Sequence, residues 1–283
     1  MTLPHPLPEQ DPELTTFNAL RVGVFDSGLG GLSMMAALRH SLPGATFHYV
    51  ADSGHAPYGE RDDAFILARC EAITQALLDM GADMIVVACN TATAVAIREL
   101  RHAWPRLPFI GVEPGIKPAI TLSPSGRIGV LATPMTLASA KFRSLVDAHA
   151  AGMALTLQPC PGLAAEIEKG ALDSPALRGL VQRFSAPLLQ ADVDTAVLGC
   201  THYPLIRPLF EAALPGVRLV DTSGAVARHA RRLAQVLVHT GERSAAADAA
   251  DLTLWTTGDP MHLQSVARQW LDAPTLRARA LGD

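Results

Sequence analysis

Aromatic residues make up only 5% of these 283 residues, and charged residues only 18%. The 23 Lys and Arg are scattered among 27 Asp and Glu, for a net charge of −4. No basic stripe forms, so nucleic acid is excluded as an expected partner. No run approaches the roughly 18 or more apolar residues of a membrane helix, which excludes a membrane partner. The opening Met1-Thr-Leu-Pro-His-Pro-Leu-Pro lacks the apolar core of a secretory signal. A cytoplasmic location is expected, where the four cysteines would stay thiols. Cys70, Cys89, Cys160 and Cys200 are spaced neither as a zinc ribbon nor as a CxxC redox pair, so no metal site is expected. What the chain does have is a 49% apolar fraction, enough for one large or two medium globular domains.

Residues 1–19 carry four prolines and no periodicity, and read as a flexible tail. From Arg21 onward short apolar runs alternate with helical stretches. The runs at 21–25, 46–51, 84–88, 109–112, 127–132, 154–159, 195–199, 217–220 and 252–256 read as strands. Helices are expected at 61–80, 92–103, 136–149, 174–190, 203–213 and 224–238. This alternation specifies an α/β fold whose mainly parallel sheets are covered on both faces. Arg21-Val-Gly-Val-Phe is echoed by Arg127-Ile-Gly-Val-Leu, and each copy is followed at a similar interval by Cys89 or Cys200. The echo implies two pseudo-symmetric, doubly wound halves. Thr240–Asp251, rich in Ala, Ser and Asp, reads as a surface loop before the last strand and helix.

Those two cysteines carry the strongest chemical signal. Met84-Ile-Val-Val-Ala-Cys89-Asn90-Thr91 and Thr195-Ala-Val-Leu-Gly-Cys200-Thr201-His202 each end a buried-strand pattern on a thiol. The polar pair after each thiol reads as a strand-to-helix turn, at the sheet edge where open α/β folds bind ligands. A thiol of ordinary pKa ~8.5 is only a few per cent ionised at neutral pH, and a helix N-terminus beside it favours the reactive anion. His202 is placed to exchange a proton with Cys200, and Asp26 to do the equivalent beside Cys89. Cys70 and Cys160 read as small core residues.

Three further stretches are notable. In Val22–Ser33 a strand ends in Asp26-Ser27, and Gly28, Gly30 and Gly31 turn the chain into a helix. This narrowly misses a dinucleotide fingerprint, with Asp52 near the ribose-acid spacing of roughly 20 residues. A nucleotide competes here with a small zwitterion, although the Asp26 carboxylate would repel a pyrophosphate. In Ala51–Arg61, Pro57-Tyr58-Gly59 marks an irregular loop able to offer backbone amides and a phenol to a carboxylate, or to be a plain turn. Pro161–Gly170 places Glu166 and Glu168 on one short helix.

Together these motifs closely resemble the aspartate/glutamate racemase family. The matching pieces are Gly23–Ser33, Ala51–Gly59, Val87–Ala92, Gly111–Ala119, Leu198–Ile206 and, more faintly, Thr256–Pro260; the likeness spans about residues 21–271. The resemblance implies two α/β domains with the site in the cleft between them: 20–117 plus 224–283, and 118–223. It implies interconversion of L- and D-glutamate without a cofactor, for the supply of D-glutamate to peptidoglycan. Cys89 would take the proton from D-glutamate and Cys200 from L-glutamate, with Asp26, Glu168 and His202 assisting. Asp26, Ser27, Pro57, Tyr58, Gly59, Asn90, Thr91, Thr201 and His202 would contact the substrate. Cys200-Thr-His-Tyr-Pro favours glutamate over aspartate. Ala164-Ala165-Glu166 stands where the family has a more apolar stretch, which leaves Glu166 as a rival to Glu168.

Glutamate is the expected small-molecule partner, and a homodimer is an admissible assembly. An aspartate racemase, a Cys89-nucleophile amidohydrolase with His202 as base, and a non-catalytic amino-acid binder are the competing readings. Lys117 and Lys141 lack the setting of a Schiff-base lysine, which argues against pyridoxal chemistry.

Overall fold

Runs such as Met84-Ile-Val-Val have no polar alternation, so both faces of the strand must be covered. That is what the computed structural model shows; it describes residues 16–18, 20–240 and 251–282. In the first half, β1 (Arg21–Asp26), β2 (Thr46–Ala51), β3 (Met84–Val87) and β4 (Phe109–Gly111) alternate with α1 (Leu32–Ser41), α2 (Asp63–Asp79) and α3 (Asn90–Ala103). After α4 (Ile116–Leu122) the pattern restarts with β5 (Arg127–Ala132), α5 (Pro134–Ala138), α6 (Ala140–His149) and β6 (Ala154–Pro159). It continues through α7 (Leu163–Glu168), α8 (Pro175–Gln190), β7 (Thr195–Leu198), α9 (Arg207–Ala213) and β8 (Arg218–Val220). The chain closes with α10 (Ser223–Thr240), β9 (Leu252–Thr256), α11 (Pro260–Trp270) and β10 (Ala278–Ala280).

The strands form two sheets, ordered β10-β9-β2-β1-β3-β4 and β6-β5-β7-β8. Every pairing is parallel. The order β2-β1-β3-β4 maps directly onto β6-β5-β7-β8, so the echo in the sequence is a real structural repeat. Its register is equally close: Gly23 pairs with Ile85 and Gly129 with Ala196, each four residues before its cysteine. The C-terminal strands extend only the first sheet, through β9 against β2, and α10 packs along α1.

In both sheets the chain reverses its winding direction beside the first strand, between β1 and β3 and between β5 and β7. Crevices outside the carboxyl ends of strands open at such switch points. The loops after β1, β3, β5 and β7 begin there, and they carry Asp26-Ser27, Cys89, Thr133 and Cys200.

Several expectations need correction. The helix read at 203–213 is a single 3-10 turn, Tyr203–Ile206, followed by α9, because Pro204 and Pro208 interrupt the amide ladder. The helix read at 136–149 breaks at Ser139, whose hydroxyl caps α6 by accepting from the Phe142 amide. Short α4 and the edge strand β10 have no counterpart in the sequence reading. Most of the proposed 1–19 tail and of the Thr240–Asp251 loop lies outside the described residues. Phe17 does not behave as tail: it is fully buried, its amide donates to the Pro43 carbonyl at 2.8 Å, and the Arg231 guanidinium lies 5.8 Å from its ring centre.

Candidate active site

Cys89 ends the β3 run and is itself the N-cap of α3, its sulfur accepting from the Ala92 amide at 3.4 Å. Asn90 and Thr91, expected in the turn, are the first two helical residues. The sulfur therefore sits at the positive end of a 14-residue helix. Its thiol donates to Ser27 Oγ at 3.7 Å, and Ser27 Oγ lies 3.4 Å from Asp26 Oδ1. Asp26 thus reaches Cys89 through Ser27. Burial pushes the Cys89 thiol up to about 12, and the Asp26 charge and Cys200 push the same way; the Ala92 amide and Ser27 oppose them.

Asp26 is fully buried at the end of β1. Its carboxylate accepts from the Gly28 amide at 2.9 Å and from Thr201 Oγ1 of the opposite sheet at 2.8 Å. Burial raises its pKa above the ordinary carboxylate value, against the opposing pull of His202, Thr201 and Gly28.

Cys200 is built differently. The residues after it turn tightly, the Tyr203 amide returning to the Cys200 carbonyl, so no α-helix begins at the sulfur. Instead His202 Nδ1 lies 3.6 Å from Cys200 Sγ, and His202 Nε2 lies 2.5 Å from Glu168 Oε1. Burial works against a charge on His202, but the contacts with Cys200 and Glu168 outweigh it and hold its pKa well above 6.5. Glu168 is thus the acid in line with a cysteine. Glu166 pairs with Lys169 Nζ at 2.6 Å.

The glycine turn fits between these groups. A side chain on Gly28 would run into the Glu168 carboxylate, and one on Gly30 into His202 and Thr201. The Leu29 amide donates to Glu168 Oε1 at 2.5 Å, and Tyr49 Oη holds the Gly28 carbonyl at 2.6 Å. The near-fingerprint glycines therefore allow a close approach of the two halves. The nucleotide reading fails at its acid as well. Asp52 is fully buried and accepts from Tyr58 Oη, Arg69, Thr257 and His55, leaving nothing for a ribose.

Tyr58 is buried rather than surface-packed, and its hydroxyl is spent on Asp52 at 2.6 Å. What the Pro57-Tyr58-Gly59 loop can offer a ligand is the amide end of the one-turn helix Tyr58–Glu60, which follows Pro57 and has no side-chain cap. The Asn90 amide nitrogen is buried without a partner, and Thr91 Oγ1 lies 3.2 Å from Thr133 Oγ1. Thr133, after β5, was missed in the sequence reading. Its signal was the repeat itself, since it follows β5 as Asp26-Ser27 ends β1.

Lys141 pairs with Glu113 at 3.2 Å, and it and Lys117 line a cavity of about 460 Å³ that neither cysteine borders. Cys70 and Cys160 are buried. Among the described residues, no cluster of three or more His, Cys, Asp or Glu is placed to hold a metal ion, and no helix is long and apolar enough to cross a membrane.

Comparison with known proteins agrees with this geometry. Residues 29–230 match the family model described as Asp/Glu/Hydantoin racemase. A glutamate racemase of Ectopseudomonas mendocina is 49% identical over 246 residues, covering 87% of this chain and 92% of the relative. One of Pseudomonas putida is 47% identical, covering 87% and 91%. The structure of Escherichia coli glutamate racemase, in complex with L-glutamate and the activator UDP-MurNAc-Ala, superposes with a TM-score of 0.81. It is 33% identical, covering 93% of this chain and 99% of that one. This chain belongs to the Asp/Glu/Hydantoin racemase family, among its glutamate racemases.

Proposed function

We propose that this protein interconverts L- and D-glutamate by proton transfer at Cα, with Cys89 and Cys200 as the acid–base pair. The observation that carries the mechanism is the equivalence of the two thiols: each stands four residues past the same register point of a repeated sheet, and each has its own polar partner. An amino-acid Cα–H is a very weak acid, so its carbanion needs fixed dipoles in a water-poor site. The Ser27, Tyr58 and Gly59 amides and the unpartnered Asn90 side-chain nitrogen supply donors for the carboxylates, with the Thr91 and Thr133 hydroxyls beside them and the Thr201 hydroxyl holding Asp26. Asp26 supplies a counter-charge for the ammonium.

From L-glutamate, Cys200 thiolate takes the Cα proton and Cys89 thiol delivers one to the opposite face. From D-glutamate the roles reverse. No covalent bond to the substrate forms, and each turnover leaves the thiol pair with exchanged protonation. His202, steadied by Glu168, supports the Cys200 thiolate; Ser27 and the α3 N-terminus support that of Cys89. We place the domain boundaries at 20–117 plus 224–283 and 118–223, because β9 joins the first sheet. The reaction would serve D-glutamate supply for peptidoglycan in the cytoplasm.

Incubation with L-glutamate in heavy water tests this reading. Optical rotation should decay to zero with matching loss of the Cα–H NMR signal, and aspartate should be a far weaker substrate. Retained rotation, or equal turnover of aspartate, would overturn it.

A second element concerns regulation. The cavity of about 460 Å³ carries Arg101, Lys117, Lys141, His229 and Arg232 against one acid, Glu113, an excess of basic groups suited to a nucleotide-linked anion such as the activator named for the Escherichia coli relative. Added UDP-MurNAc-Ala should raise the rate, and Arg232→Glu should abolish the response.

A further inference from the structure

The helix that carries Glu168, α7, has only six residues, and its last carbonyls lack partners within the helix. One of them, the Glu168 carbonyl, accepts from His262 Nε2 at 2.6 Å. His262 lies on α11, which follows β9 and so stands with the first sheet, whereas α7 stands with the second. The histidine packs tightly on the end of α7. Gly170 has φ +80°, and a Cβ on it would lie 2.7 Å from His262 Cε1. His262, Asp259, Glu168 and Pro57 share the lining of a cavity of about 360 Å³, so this contact sits beside the substrate-facing loop.

Building on the racemase reading, we infer that His262 is a positioning residue that pins Glu168 from the opposite half and so sets the Glu168–His202–Cys200 line. Its ring donates to the main chain of the residue whose carboxylate reaches both His202 Nε2 and the Leu29 amide. Without that donor the Glu168 carbonyl loses its partner and α7 is free to drift along the cavity. A displacement near 1 Å at a catalytic group can cost about a hundredfold in rate. The charged groups facing His202 are Glu168 from α7, Asp26 from β1 and Cys200 from its own loop, so loss of a close Glu168 contact removes support for the imidazolium.

The test compares His262→Ala, His262→Gln and the same changes in a Glu168→Gln background, with steady-state kinetics, thermal melting and NMR titration of His202. His262→Ala should lower kcat by about 10–100-fold with KM little changed. The His202 titration should move to lower pH. His262→Gln, which keeps an N–H donor, should recover most of both. In the Glu168→Gln background, His262→Ala should add little, because the two act through one group. Should His262→Ala fail to fold, His262→Leu, which keeps bulk but has no donor, takes its place with the same losses expected. Parent-like kcat with an unmoved His202 titration would overturn the inference, as would a full-sized loss in the Glu168→Gln background. If the parent protein does not racemise glutamate, the proposed function fails, and the His202 titration alone then decides: a shift supports the positioning role and no shift overturns it.

Discussion

The two thiols occupy equivalent places in a repeated sheet, yet their surroundings are not copies. Cys89 caps a long α-helix and bonds to a neutral hydroxyl, with a buried carboxylate one step behind. Cys200 has no helix, because prolines follow it, and has a buried histidine–glutamate pair instead. One side is served by main-chain dipoles and the other by a charged side chain. On the proposed mechanism each sulfur is acid in one direction and base in the other. The repeat would then supply equivalent positions for that task, and divergence after the strands two different means of handling the proton.

The comparison breaks most visibly if a sulfur is removed. Cys89→Ala or Cys200→Ala should each lower kcat by more than about a thousandfold in both directions, and the double variant should be little worse, since the pair acts as a unit. Polarimetry with each enantiomer checks this. A hydrolase with Cys89 alone as nucleophile would keep activity in Cys200→Ala.

Removing the partners should sharpen the difference. Glu168→Gln or His202→Asn should reduce kcat/KM by about a hundredfold, the usual scale of a proton-handling group. Ser27→Ala should cost nearer fivefold, in line with ~1 kcal/mol for one neutral hydrogen bond. Enantiomers have equal free energy in water, so these losses in kcat/KM must be equal in the two directions. Asymmetry can appear only in kcat and KM taken separately. Equal losses for Ser27→Ala and Glu168→Gln would erase the distinction between the sides.

The pH profile of kcat/KM should be bell-shaped, because one thiolate and one thiol are required; its limbs report the coupled pair. After burial, the Asp26 charge is the next cause holding the Cys89 pKa high. Asp26→Asn removes a negative charge that disfavours the Cys89 thiolate, so the profile of the pair should move to lower pH. A shift to higher pH would show that Asp26 acts on Cys89 by another route.

The smallest effect on chemistry is expected at the N-terminus. Removing residues 1–15 should leave kcat/KM unchanged. Phe17→Ala should lower stability by about 3 kcal/mol, as for other buried phenylalanines, without altering kcat. Loss of activity on truncation would show that the segment supports the site.

How much of this was legible differs along the chain for physical reasons. Parallel strands buried on both faces announce themselves as unbroken apolar runs, and both cysteines stand at the ends of such runs. The glycines after Asp26 were visible, but their purpose, admitting Glu168 and His202, depends on side chains far away in sequence. The Thr201–Asp26 bond joins residues 175 apart and leaves no local trace. Tyr58 shows the same limit: its type and loop were evident, but not that Asp52 would claim its hydroxyl. Edge strand β10 has only three residues and includes Arg279, too little for periodicity to register. Phe17 is a lone anchor in a polar stretch, so only its burial reveals it.

Whether opposed thiols each serve one face of Cα is decided by Cα–H exchange in heavy water with the single-cysteine variants. Cys200→Ala retains Cys89 and should slowly exchange the Cα–H of D-glutamate without inversion, leaving L-glutamate untouched. Cys89→Ala should show the converse. Exchange of both enantiomers by one variant, or racemisation by either, would contradict the two-thiol account.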